Sequence, residues 1–261
     1  MLLRHELTGS GPPVVLLHPG IADSRIWDPQ WESFAGRYRL VRCDLRGFGE
    51  SPFDGPAVCY ARDVVELLDG LGVAAASFVG TSLGGRIALE IAVARPDLVR
   101  ALVLVGASVP GLVPGSDELA AYGAAEDEAV GRGDLDAATE LNLRMWVDGP
   151  RRSASDVDPL VREAVRRMQR RALELQAPVW ETVEPEPLVA ELAERLGEVA
   201  VPTLVAVGEE DVEYMQRMAD AIAAAIPGAQ QATLADTAHV PNLEVPAAFD
   251  ELVLDFLGGA I

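Results

Sequence analysis

Short continuous apolar runs recur along the chain, and between them apolar residues repeat at helical spacing. Val14-Val15-Leu16-Leu17, Ala101-Leu102-Val103-Leu104-Val105 and Leu204-Val205-Ala206-Val207 have no polar alternation. Strands of that kind are buried on both faces, as in a parallel sheet. Arg39 to Cys43, Ser77 to Gly80 and Gln230 to Leu234 read as further strands, and residues 2 to 7 as a short edge strand. Residues 60 to 71 carry Val64, Val65, Leu67, Leu68 and Leu71 on one helical face. A second helix runs from Leu83 to Arg95, where Pro96 ends it, and a last one from Ala247 to Leu257. Alternating strands and helices predict an α/β fold: a mostly parallel central sheet with helices on both faces.

The alternation stops near Ser108 and resumes at Pro202. In between, Leu119 to Val130, Leu135 to Trp146, Pro159 to Gln176 and Pro187 to Leu196 suit amphipathic helices, jointed at Pro150, Pro178, Pro185 and Pro187. The expected organisation is a core of residues 1–107 and 200–261, with 108–199 inserted as a helical cap. A segment of roughly 90 residues is too long to be structureless in a compact domain.

Composition narrows the function classes. The 261 residues are 49% hydrophobic, enough for a sizeable core. Net charge is −20 and all 21 basic residues are arginine, a balance that repels nucleic-acid phosphates and anionic membranes. No run reaches the ~18 apolar residues that would span a bilayer, and the first twenty residues have no signal-peptide pattern. A cytoplasmic protein acting on a small molecule is expected, as monomer or homodimer. Cys43 and Cys59 read as free thiols. His5, His18 and His239 lie far apart, so no metal and no other cofactor is expected.

The chemistry gathers at strand ends. Gly80-Thr81-Ser82-Leu83-Gly84, between a strand and a helix, has the Gly-x-Ser-x-Gly form of a nucleophile elbow, a sharp turn that exposes a serine hydroxyl above the sheet. Alone that motif is weak. Its partners strengthen it. Asp211 follows the strand ending at Val207, and His239 lies in the loop after the last strand. Glu209, Glu210 and Asp236 are carboxylates near Asp211 that could simply be solvated surface. The order Ser82, Asp211, His239 gives nucleophile, orienting acid and base. Such loops beyond the carboxyl ends of strands build the site in open α/β sheets.

Five segments, in order, resemble the α/β-hydrolase family, of the small cofactor-free serine esterase and lactonase type. They are Leu16-Leu17-His18-Pro19-Gly20 with Trp27, Asp44-Leu45-Arg46-Gly47-Phe48-Gly49-Glu50-Ser51, the serine elbow, Val207-Gly208-Glu209-Glu210-Asp211, and Ala238-His239-Val240-Pro241-Asn242. The resemblance implies a Ser82-Asp211-His239 triad and an oxyanion hole made of backbone N–H groups. Leu83 gives one donor. The other comes from the loop after Leu17, where the family has His-Gly-x and this chain has His18-Pro19-Gly20. Proline has no N–H, so Gly20 is the expected donor, with Ile21 as the alternative. His18 and the Asp44 to Ser51 segment read as structural, holding their loops by hydrogen bonds.

Ile21, Trp27, Met145, Trp146 and Val240 are the candidate pocket residues. Met145, Trp146, Met168 and Trp180 would supply an apolar cap wall. The expected activity is hydrolysis of a small, largely uncharged ester or lactone. Within the same chemistry the alternative is an enol-lactonase or carbon–carbon bond hydrolase of aromatic catabolism; outside it, a cofactor-free oxygenase or perhydrolase-like enzyme.

Overall fold

A computed structural model describes residues 3–53 and 57–260; Leu2, in the expected edge strand, lies outside them. The first half contains β1 (His5–Thr8), β2 (Pro13–Leu17), α1 (Asp28–Phe34), β3 (Arg39–Cys43), α2 (Tyr60–Gly70), β4 (Ala76–Thr81), α3 (Leu83–Ala94) and β5 (Val99–Val105). After the insertion come β6 (Thr203–Gly208), α8 (Glu213–Ala225), β7 (Gln230–Leu234), α9 (Pro241–Glu244) and α10 (Pro246–Ala260). One seven-stranded sheet runs β1-β3-β2-β4-β5-β6-β7, parallel except for β1, which pairs antiparallel with β3.

The apolar runs are buried on both faces because neighbouring residues feed different cores. Val15 and Leu17 pack with α2, α3 and α8, while Val14 and Leu16 pack with α1 and α10. On β5, Leu102 and Leu104 take the first face and Val103 and Val105 the second. Each such residue contributes about 1.5–3 kcal/mol by leaving water. No face of these strands is free for a polar residue, hence the missing alternation. α3 is buried over most of its surface, from Gly84 through Val93, since it lies on β4, β5 and β2 with α2 beside it.

The strand order fixes where a site can form. β2 continues to β3 on one side, whereas β4 continues to β5 on the other. The loops leaving the carboxyl ends of β2 and β4 therefore diverge, and a crevice opens between them. Pro19-Gly20-Ile21 and Ser82 sit on those two loops.

The insertion forms a helical cap: α4 (Asp117–Gly131), α5 (Leu135–Asn142), a π-helical turn (Leu143–Asp148) and α6 (Pro159–Gln176). The helix expected over Leu135 to Trp146 thus changes its hydrogen bonding halfway. α6 seats the cap on the core. Arg171 and Gln176 donate to the carbonyls of Gly49 and Gly47, in the Asp44 to Ser51 turn. That turn is in turn fixed by Asp44, which accepts from the N–H groups of Ser24 and Glu50. The arginines of α6 pair with Glu163 and Glu174 on their own helix, and with Asp136 and Glu140 on α5. Later in the insertion, α7 (Leu192–Arg195) packs against α3, and the Leu188 N–H donates to Glu90 on α3.

Candidate active site

Ser82 occupies a backbone conformation that non-glycine residues rarely adopt, with φ 51° and ψ −111°. Its own N–H donates to the Val105 carbonyl at 2.8 Å, so β5 holds the bend from the side. The turn is tight enough to bring β2, β4 and α3 into backbone contact. A Cβ on Gly84 would stand 2.2 Å from the Leu17 carbonyl oxygen, and one on Gly80 would stand 2.4 Å from that of Gly84. These distances leave only hydrogen at both positions. Strain of about 1–3 kcal/mol is typical of such a residue and is tolerated where the surroundings over-determine it.

His239 and Asp211 form a buried pair. His239 Nδ1 lies 2.7 Å from Asp211 Oδ2, and Asp211 Oδ1 accepts the Val212 N–H at 2.8 Å. With Asp211 accepting only, the ring proton sits on Nδ1 and Nε2 carries a lone pair. Neither Nε2 nor the Ser82 hydroxyl has a hydrogen-bond partner among the described residues, and both residues line one cavity. Of the neighbouring carboxylates, Glu210 pairs with Arg151, and among the described residues none of Glu209, Glu210 and Asp236 bonds His239.

Three further contacts aim the histidine. Its backbone N–H donates to the Trp146 carbonyl at 3.1 Å, in the π-helical turn. The Trp146 ring lies 4.7 Å from the imidazole, centre to centre. Gly106, at the end of β5 with φ +49°, passes beneath: a Cβ there would be 3.0 Å from His239 Cε1 and 3.4 Å from Asp211 Oδ2. A side chain at 106 would thus displace the pair.

Facing the serine, the loop after β2 makes a turn in which the Ala22 N–H donates to the Pro19 carbonyl at 3.3 Å. Gly20 and Ile21 are the middle residues, and their N–H groups have no acceptor among the described residues. Leu83 begins α3, so its N–H has no intrahelical partner and lies at the positive end of the helix dipole. Gly20, Ile21 and Leu83 all line the cavity with Ser82. His18 sits behind the turn, fully buried. Nδ1 donates to the Pro19 carbonyl at 2.8 Å, and Nε2 accepts the Leu45 N–H at 2.9 Å. Burial pushes the His18 pKa down, which keeps the ring in the neutral form those two bonds require.

The cavity holds about 230 Å³, and its upper wall is polar as well as aromatic. Trp146 and Trp180 line it together with Tyr122, Glu126, Asn142, Gln169 and Gln176. Of the expected pocket residues, Ile21 and Trp146 are in the lining and Trp27, Met145 and Val240 are not. Trp27 is fully buried beside Phe249, with its ring 6.2 Å away, beneath the loop rather than in front of it. Val240 is fully buried in the same core face. Met145 packs on the other core cluster, and Met168 is buried beneath the cap, so the expected apolar wall reduces to two tryptophans. Burial pushes the Glu126 carboxyl pKa up, against the hydrogen bonds from Asn142 and Tyr122.

Sequence reasoning missed this polar set, although one signal was present. Gln169 falls on the stripe of α6 that Val165, Met168, Ala172 and Leu173 bury, where an apolar residue is the norm. Among the described residues no group of three or more His, Cys, Asp or Glu side chains could hold a metal, and no helix is long and apolar enough to cross a membrane.

Known proteins resemble this chain over nearly its whole length. RutD of Azorhizobium caulinodans, assigned as a carbamate hydrolase, is 29% identical over 98% of this chain and 95% of its own. The strigolactone esterase D14 of Arabidopsis thaliana is 28% identical over 94% and 92%. The solved structure of Est816, described as an N-acyl homoserine lactone degrading enzyme, superposes with a TM-score of 0.77 at 27% identity, covering 97% of this chain and 96% of that one. The model of the alpha/beta hydrolase family matches residues 14–252, spanning both halves of the core and the cap between them. The strained serine after β4, the carboxylate after β6 and the histidine after β7 thus sit in a chain that belongs to the alpha/beta hydrolase family.

Proposed function

We propose that the protein hydrolyses a small carboxylic ester or lactone through an acyl-enzyme on Ser82. The observation that carries this is the His239–Asp211 pair, at 2.7 Å, with the free Nε2 opening on the same cavity as a serine held in a strained turn. The Ser82 Oγ attacks the substrate carbonyl while His239 Nε2 takes its proton. Asp211 holds the tautomer and stabilises the imidazolium that forms. The oxyanion lies between the Leu83 N–H and a second donor from the turn after β2, which we assign to Gly20. His239 then returns the proton to the leaving oxygen, and the C–O bond breaks. In the second half the base removes a proton from water, the water oxygen attacks the acyl carbon, and Ser82 leaves with the proton restored.

The relatives support ester and lactone bonds as the target, and a chamber of about 230 Å³ suits a small substrate. The finer assignments follow from the same reading: a core of residues 1–107 and 200–261 under a cap of 108–199, and a cytoplasmic enzyme. Ser82→Ala is expected to abolish turnover of short p-nitrophenyl esters and labelling by a fluorophosphonate probe. His239→Ala should slow labelling at least 100-fold. Turnover in Ser82→Ala equal to that of the parent would overturn the proposal.

A further inference from the structure

The polar wall opposite Ser82 is not explained by ester hydrolysis. Triad and oxyanion donors act on the scissile carbonyl, whereas Tyr122, Glu126, Asn142 and Gln169 line the cap side of the cavity. Most of their hydrogen-bonding capacity is spent internally. The Tyr122 hydroxyl donates to Asn142 Oδ1 at 2.6 Å, and Asn142 Nδ2 donates to Glu126 Oε1 and to the Ala138 carbonyl. Asn142 is thereby saturated, and its role is to fix the Glu126 carboxyl.

One acceptor remains open. Gln169 Oε1 is buried without a partner, on a side chain only 3% exposed, and the Glu126 carboxyl, held by Asn142 and Tyr122, lines the same chamber. A buried acceptor left unmade costs free energy that an apolar residue at the same position would not. Both lie on the wall of one small chamber whose opposite side is Ser82 and His239.

We propose that this wall is a specificity site, in which Gln169 and Glu126 accept hydrogen bonds from a donor group, hydroxyl or protonated amine, on the acyl part of the substrate remote from its scissile carbonyl. The inference rests on the ester-hydrolase reading above and adds the substrate's second functional group. A hydrocarbon end in this chamber would leave the Gln169 acceptor unpaired. A donor-bearing end of equal size pairs it, with the Glu126 carboxyl on the same wall, and is selected on that ground. A protonated amine would draw on the carboxylate charge, whereas a hydroxyl would draw on hydrogen bonding alone.

The test uses pairs of methyl esters matched in size: butanoate against 3-hydroxypropanoate and 3-aminopropanoate, then pentanoate against 4-hydroxybutanoate and 4-aminobutanoate. Methanol release gives kcat/KM. At one of the two lengths, a donor-bearing ester should exceed its hydrocarbon match by about 10–100-fold. In Gln169→Met, which keeps the volume, that ratio should fall at least fivefold. Glu126→Gln, which keeps hydrogen bonding but removes charge, should lower the ratio for the amine more than for the hydroxyl. A hydrocarbon ester equal to or better than its match at both lengths overturns the inference, as does a ratio unmoved in both variants.

Binding of the same compounds to the Ser82→Ala protein, read by calorimetry, separates the two claims. Should no ester turn over and Ser82 fail to label, the catalytic reading falls, and the binding preference still decides whether the wall selects donors. Equal binding of donor and hydrocarbon esters would sink the wall's role even with hydrolysis intact.

Discussion

Arg152 is the residue whose removal should loosen the site most without touching it. Its guanidinium pairs with Glu244 Oε2 at 2.7 Å and donates to the carbonyls of Asp148, Val147 and Asp236 at 2.8, 2.8 and 2.9 Å. Glu244 Oε1 in turn accepts the N–H of Ala238, the residue before His239. One side chain thus ties the end of the π-helical turn to both ends of the histidine loop. Arg152 and Glu244 side chains are only 13% and 6% exposed, so screening by water is slight.

Arg152→Met removes the cation and leaves a buried carboxylate behind, a change worth about 3–5 kcal/mol. For a chain of this size that is a fall in Tm of roughly 6–20 °C. The deficit should depend on pH. Burial pushes the Glu244 pKa above its ordinary value of 4.5, with Arg152 the chief opposing influence. A raised folded pKa means that the native state holds the proton more tightly than the unfolded chain. Stability from this group is therefore complete below 4.5 and is lost as pH rises through the folded value. Without Arg152 that value climbs further, so the gap in Tm between parent and variant should be wider at pH 7 than at pH 4.5. Adding Glu244→Gln removes the stranded charge while keeping an acceptor for the Ala238 N–H, and should recover most of the loss at pH 7. The measurement is thermal unfolding followed by circular dichroism for the parent, both single variants and the double variant. A Tm within 2 °C of the parent at both pH values, or no recovery in the double variant, would refute the reasoning.

Three other outcomes follow from the site geometry. Ser82→Gly should abolish hydrolysis yet be more stable than Ser82→Ala by about 1–2 kcal/mol, because glycine relieves the strain at φ 51° and alanine does not; equal melting curves for the two would count against stored strain. Gly106→Ala should lower kcat/KM about 100-fold while the protein stays folded, since the added methyl pushes on the His239 ring at 3.0 Å; unchanged turnover would show that the pair has room to move. Cys43 is fully buried, with its pKa pushed up to about 12, so a thiol reagent at pH 8 should reach it only after unfolding; rapid labelling of Cys43 in the native protein would contradict its place in the core.

The core and the places of the proposed reacting groups at strand ends were legible in the sequence for a common reason. Strands buried on both faces advertise themselves as unbroken apolar runs, and Val14 to Leu17, Ala101 to Val105 and Leu204 to Val207 all became central strands. Once strands are placed, their carboxyl ends are placed too, and Ser82, Asp211 and His239 follow them at short intervals. The pocket wall was not legible, because it depends on how helices turn relative to one another. Trp27 and Trp146 are the same residue type in similarly apolar surroundings; one is buried in the core with Ile21 and Ala22 of the loop after β2, and the other lines the cavity. The π-helical turn was hidden as well. Over six residues its spacing of apolar side chains cannot be told from the last turns of an α-helix, yet it sets the Trp146 carbonyl against the His239 N–H.

The close backbone approach around Ser82 also bears on how this protein can change. At Gly80, Gly84 and Gly106 a single added carbon would meet backbone or the His239 imidazole at 3.0 Å or less. Drift in substrate preference therefore has little purchase on the lower half of the chamber. The upper half is carried by side chains of the cap, from α4 to Trp180 just past α6, where an exchange alters shape and polarity without breaking the turn below. A deep mutational scan under selection for a new ester would be expected to enrich changes at positions 122, 126, 142, 169 and 180, and to leave the glycines untouched. The rigid half preserves the reaction, and the cap is the part free to explore new substrates.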